Sequence, residues 1–215
     1  MATAPEKLAA LRQLLAGRFP TVSRPAGRVL TTGIPALDSA TGGLPLGAIT
    51  EIVCAVPSCG GHLLLAQLLA VTRRERRRVA LIDGTDSFDP ASLDGDLLAH
   101  LLWVRCTGTR SAVQAADLLV RDANLDLVVL DLRHAPAADL HRVPGPQWYR
   151  LQRAVEPTDL AFVVETPCTT VPSAQVRLTL NTTHHFSALG RERPGLTAQF
   201  APTLQRQRLR AAASE

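Results

Sequence analysis

The stretch from Gly47 to Asp89 constrains this chain more than any other. Ile49 to Val53 is a short apolar run of the kind that becomes a buried strand. Pro57 to Gly61 is built from Pro, Ser, Cys and Gly and demands a tight turn. Leu63 to Val71 is long and apolar enough for a helix packed on a sheet, and Val79 to Asp83 is a second strand ending in an acid. Strand, glycine turn, helix, strand is the layout of a phosphate-binding P-loop.

The loop has the place of a phosphate cradle without its chemistry. A working P-loop reads G-x-x-x-x-G-K-[ST]: backbone N–H groups hold the phosphates, the Lys meets the outer oxygens and the hydroxyl binds Mg²⁺. The matching residues here are Ala55, Gly60, Gly61 and His62, so the second glycine survives while Gly61 stands for the Lys and His62 for the hydroxyl. A charge-assisted hydrogen bond is worth about 1.5–3 kcal/mol, so the missing Lys alone removes one or two decades of phosphate affinity. A helix N-terminus still attracts anions weakly.

With 215 residues, 46% of them hydrophobic, the chain can bury the core of one α/β domain. No run of 18 uncharged apolar residues predicts a membrane span. Met1 to Gly17 carries Glu6, Lys7 and Arg12 among leucines, an amphipathic helix pattern and not a secretory signal. Cys54, Cys59, Cys106 and Cys168 lack C-x-x-C spacing, which predicts reduced thiols, no metal site and a cytoplasmic protein. The net charge of +4 permits a nucleic-acid or acidic partner.

The expected organisation is an N-terminal helix and linker over 1–28, a core domain over 29–200 and a basic C-terminal tail over 201–215. Leu8, Leu11 and Leu15 share one face of the first helix and make it a candidate partner-binding element, as do Arg206, Arg208 and Arg210 in the tail. Arg73 to Arg78 reads as a solvated helix end, with a phosphate-contacting edge as the alternative. Thr109 to Ala123 reads as an amphipathic helix with Val113, Ala116, Leu119 and Val120 inward. Trp148 and Tyr149 read as anchors of a further helix, and His184-His185 as a loop feature rather than a metal ligand pair.

The segments "TTGIPALDSATGGLPLGAITEI", "VALIDGTDSFDP", "LDLVVLDL", "LAFVVET" and "AQVRLTL" together resemble the ATPase core of the RecA recombinase family, from about Val29 to Leu180. The resemblance implies a RecA-like α/β core, a mostly parallel sheet flanked by helices. It implies that Asp131, closing Leu127 to Asp131, is the Walker B carboxylate. It places Thr85, which cannot serve as a general base, at the position of the catalytic acid, with Asp83 and Asp86 as neighbouring substitutes. Asp89 matches a position near the adenine, and Glu165 the sensing Gln. The two DNA-contacting loops, His134 to Trp148 and Thr166 to Pro172, are rich in proline and look curtailed.

Within that superfamily, the degenerate loop and arginine-rich form resemble the ImuA family, also described as SulA-like. That resemblance implies a non-catalytic adaptor of damage-induced translesion synthesis, with an ImuB-like inactive Y-family polymerase, RecA and an error-prone DnaE-type polymerase as partners. No cofactor is expected, ATP and Mg²⁺ included. The alternatives are a divergent DNA-dependent ATPase in which Arg110 or an Arg of a neighbouring subunit replaces the Lys, and a SulA-like cell-division inhibitor. Direct DNA binding stays open.

Overall fold

The computed structural model describes residues 28–122 and 124–208. The N-terminal helix reading, with Leu8, Leu11 and Leu15, lies outside the described residues, as does Arg210.

A short antiparallel pair, β1 (Val29–Leu30) and β2 (Leu44–Pro45), brackets helix α1 (Pro35–Thr41). The Asp38 carboxylate accepts hydrogen bonds from Thr32 N, Thr32 Oγ1 and Gly33 N, which fixes the glycine-proline turn entering α1. The main sheet then follows in the order β5-β4-β6-β7-β3-β8-β9. Its strands are β3 (Ala48–Val53), β4 (Val79–Asp83), β5 (Leu101–Arg105), β6 (Leu127–Asp131), β7 (Ala161–Thr166), β8 (Val176–Leu180) and β9 (Pro202–Gln207). All neighbours pair in parallel except β8 and β9.

Helices cover both faces, and the strands show why. In β4, Val79 and Leu81 join one apolar cluster while Ala80 and Ile82 join the other, and β6 divides Leu127 and Val129 from Val128 and Leu130 in the same way. A strand buried on both faces reads as an unbroken apolar run, which is the pattern of parallel sheets. On the first face lies α2 (Gly61–Arg74), with Leu64, Leu65, Leu68 and Leu69 inward. After α3 (Gly95–Leu98), the second face carries α4 (Thr109–Leu119), α5 (Ala137–His141) and α6 (Gly145–Val155). Here Val113, Ala116 and Val120 are buried, as expected, while Leu119 is only half-buried. Trp148 and Leu151 anchor α6, and Tyr149 stays 46% exposed.

Two expectations are corrected. The segment His134 to Trp148 is not an open loop: it forms α5 and the first turn of α6. Its prolines sit at helix starts, where no N–H is needed. Nor do residues after 200 begin as a tail. Pro202–Gln207 is an edge strand whose pairing satisfies the outer side of β8, and the last short helix, α7 (Arg193–Thr197), precedes it. The core therefore runs beyond residue 200. Among the described residues no helix is long and apolar enough to cross a membrane.

Candidate functional site

The loop between β3 and α2 turns back on itself through Ser58 at φ 58° and Gly60 at φ 97°. A Cβ on Gly60 would lie 2.5 Å from Phe200 Cζ, so only glycine admits that ring against the loop. Ser58 O accepts a 3.2 Å bond from His184 N, tying the C-terminal segment to the loop. Between them opens a mainly apolar cleft of about 740 Å³, lined by Cys59, His62, Arg133, His134, His185 and Phe186 among others. Phe186 stands at its edge, 88% exposed.

The floor of the site is a buried charge cluster. Asp131 and Glu165, at the ends of adjacent parallel strands β6 and β7, are register partners and fully buried. Arg133, 8% exposed, leaves the end of β6 and folds back over them. Its Nε donates to Asp131 Oδ1 at 2.9 Å, its Nη2 to Asp131 Oδ2 at 2.5 Å, and its backbone N–H to Oδ1 at 3.0 Å. Arg133 Nε also lies 2.9 Å from Glu165 Oε2. Its single proton points to Asp131, so that contact is an ion pair and neither Glu165 oxygen accepts an aligned hydrogen bond.

Protonation follows from this geometry. Burial pushes Glu165 up to about 8, and Arg133 only partly offsets it while Asp131 adds repulsion. Burial also opposes ionised Asp131, but the bidentate Arg133 outweighs it and holds the carboxyl below its usual range. Burial opposes the charged Arg133 guanidinium, but its acidic neighbours Glu165 and Asp131 outweigh that and raise it above its ordinary value. At neutral pH the cluster is one carboxylate, one guanidinium and one protonated acid, so no positive charge is left over for a phosphate.

Arg133 also explains Gly61. A Cβ at position 61 would lie 2.5 Å from Arg133 Nη1 and 2.7 Å from its Cδ. The guanidinium occupies the space into which a side chain at the lysine position would grow. His62 follows on the first turn of α2, with one edge open to solvent and the other against the cleft, and its Nδ1 lies 3.4 Å from Arg133 Nη2. Partial burial, then the Arg133 charge, lower its pKa and keep the ring neutral.

No family model matches the chain. Over 131 residues it is 37% identical to the RecA protein of Clavibacter michiganensis subsp. michiganensis, covering 58% of this chain and 36% of that one. Over 130 residues it is 32% identical to the RecA protein of Streptomyces venezuelae, covering 58% and 34%. The chain thus spans about a third of the length of the curated relatives it matches. The crystal structure of the RadB recombinase superposes with a TM-score of 0.55 at 18% identity, over 70% of this chain and 82% of that one. The core is a RecA fold.

On the RecA fold the remaining residues fall into place, and several differ from expectation. Ala55 is exposed on the outer turn of the loop. Arg110 does not reach the P-loop: it lines a separate cleft at the start of α4, and the cation beside the lysine position is Arg133, which the sequence did not single out. Asp83 is fully buried and accepts from Thr85 N, Ser87 N and Phe88 N, so it caps a turn and is not placed as a base. Thr85 donates its hydroxyl to Ser87, and Asp86 is exposed and paired with Arg105. Asp89 is exposed and caps the 3-10 turn Pro90–Ser92 through Ala91 N, away from the cleft.

The outer basic residues are largely engaged. Arg73 pairs with Asp96 and Arg77 with Glu75. Arg206, expected as a docking cation, donates to the Pro172 and Ala174 carbonyls and is part of the sheet edge. Arg208 donates its backbone N–H to Gln175 O and keeps an exposed side chain. Among the described residues His184 Nε2 is buried without a partner, and they contain no group of three or more potential metal ligands.

The segment after β7 is held by a residue that the sequence reading passed over. Glu51, fully buried in β3, accepts from Thr166 Oγ1, Thr170 N and Val171 N on one oxygen. Its other oxygen accepts from Arg177 Nε at 2.5 Å, and Arg177 Nη2 donates to Val171 O. Between Pro167 and Pro172 this loop is held by a buried carboxylate that accepts from four donors.

Proposed function

We propose that this protein is a RecA-fold adaptor that does not turn over ATP and that serves a bacterial DNA-damage response, in translesion synthesis. The observation that carries the reading is the closed cluster of Asp131, Arg133 and Glu165. The Walker B position is spent on an internal ion pair, the lysine position is glycine, and the internal guanidinium fills the vacated space. Phosphoryl transfer depends on positioned cations that meet developing phosphate charge, and here the cation is already neutralised. An ImuB-like inactive Y-family polymerase, RecA and a DnaE-type polymerase are the partners this reading names, and the likeness of the degenerate loop and arginine-rich sequence to the ImuA family supports them.

Calorimetry with Mg–ATP, beside a phosphate-release assay with and without single-stranded DNA, tests the first half. The expected result is neither heat nor phosphate. Co-purification with an ImuB-like protein tests the second half, and a chain that is never retained by it removes the partner assignment.

A divergent ATPase is the second reading, and one observation favours it: Arg133 lies beside the helix N-terminus, where the lysine charge belongs. Turnover by the wild-type chain that is lost in an Arg133→Met variant still folded by circular dichroism would establish it.

A further inference from the structure

Two thiols lie within the P-loop turn. Cys54 follows the last residue of β3 and Cys59 precedes Gly60. Both are buried, at 8% and 4% exposure, yet both line the cleft. Both thiols flank the left-handed turn at Ser58 and face the same cleft. Cys59 stands two residues before Gly61, the first residue of helix α2, beside which the Arg133 guanidinium lies. In a working P-loop this turn faces a phosphate; here it carries a thiol.

The two thiols are therefore unequal. The hydrogen bond from Cys54, with those from the backbone and the Arg133 charge, overcomes burial and lowers Cys59 to about 6. Cys54 is raised by the same hydrogen bond and by burial. A low-pKa thiol at a helix N-terminus beside a guanidinium, with a second thiol in the same turn, is the environment of a reactive pair rather than of structural cysteines. Cys106, raised by burial, and the half-buried Cys168 have no such neighbour among the described residues.

We propose that Cys54 and Cys59 form a modification site for hydroperoxides, with Cys59 attacking and Cys54 resolving, and that the product is a disulfide closed across the P-loop. The Cys59 thiolate attacks the outer oxygen of a hydroperoxide. The S–O bond forms, the O–O bond breaks, and the leaving alkoxide or hydroxide takes a proton. Cys54 sulfur then attacks Cys59, the S–S bond forms, and hydroxide leaves with the Cys54 proton as water. Two electrons pass from the thiols to the peroxide, and an external dithiol reverses the change by exchange. Oxidation removes the thiolate charge beside Arg133.

The wild-type chain treated with one equivalent of hydrogen peroxide, quenched with iodoacetamide and mapped by mass spectrometry supplies the test. No Lys or Arg lies between Val29 and Thr72, so one tryptic peptide carries both cysteines. It is expected to lose the mass of two hydrogens and escape alkylation while Cys106 and Cys168 are alkylated, and dithiothreitol restores it. Without peroxide, Cys59 is expected to alkylate about tenfold faster than Cys106 at neutral pH, with half-maximal rate near pH 6. In Cys54→Ser, dimedone is expected to trap a sulfenic acid on Cys59. Alkylation of both cysteines after peroxide, or a disulfide to Cys106 or Cys168, overturns the proposal, and the wild-type arm does not depend on any variant folding.

Discussion

Gly61 and Arg133 are sterically reciprocal. A Cβ on Gly61 would come within 2.5 Å of Arg133 Nη1, so a side chain at position 61 and this guanidinium exclude one another. One position lacks a cation and the other supplies one, but from a strand end, where Asp131 and Glu165 hold it.

Reintroducing the lysine alone is therefore expected to destabilise. Gly61→Lys overpacks a close contact, at a cost of about 1–3 kcal/mol. Combined with Arg133→Ala it should cost less than the sum of the two single changes, with a coupling of about 0.5–3 kcal/mol in a double-mutant cycle. Urea denaturation of the four proteins measures it. Strict additivity would show that the two side chains do not compete.

Arg133→Met leaves Asp131 ionised and buried without its partner, at an expected cost of about 3–5 kcal/mol. Adding Asp131→Asn should recover most of that loss. Thermal unfolding of both variants separates the cost of an orphaned charge from the cost of lost packing, which the double variant retains.

Glu165 gives the fold a pH dependence of known sign. Its folded pKa is raised from 4.5 to about 8, so the native state holds a proton that the unfolded state releases. Stability from this group is fully present below about pH 4.5 and falls as pH rises through about 8. Glu165→Gln, which mimics the protonated acid, should flatten that decline and be the more stable form at alkaline pH. Chemical denaturation across this range reads the outcome, and parallel pH profiles would remove the argument.

Glu51→Ala should free the segment after β7, because it removes the acceptor for Thr170 N, Val171 N and Arg177. The expected cost is about 3–5 kcal/mol, since Arg177 is left buried without its counter-charge. Hydrogen exchange at Thr170 and Val171 should rise well above that of the strands.

The parallel core was legible because its strands are buried on both faces and read as continuous apolar runs, from Leu127 to Leu130 for example. The degenerate loop and the acids Asp131 and Glu165 were legible for the same reason: each closes such a run. Arg133 was not, because nothing local marks a side chain that folds back over its own strand. A usable signal existed in the pairing of a missing lysine at Gly61 with an arginine two residues beyond Asp131. The strand β9 stayed hidden because Thr203, Gln205 and Gln207 alternate with Leu204 and Arg206, an edge with no apolar face. Prolines 136, 144 and 146 misled by type, since a proline at a helix start and a proline in a loop look alike in sequence.

Glu51 has a consequence for any partner that docks at Thr166 to Pro172. Chains that fold only on contact spend binding free energy on ordering themselves. Here the ordering is done during folding, by four hydrogen bonds donated to a carboxylate inside the sheet. A partner meets a preset template whose affinity does not hinge on temperature-sensitive ordering. For the same reason this segment is a poor messenger: a surface with one shape carries no news of what is bound elsewhere.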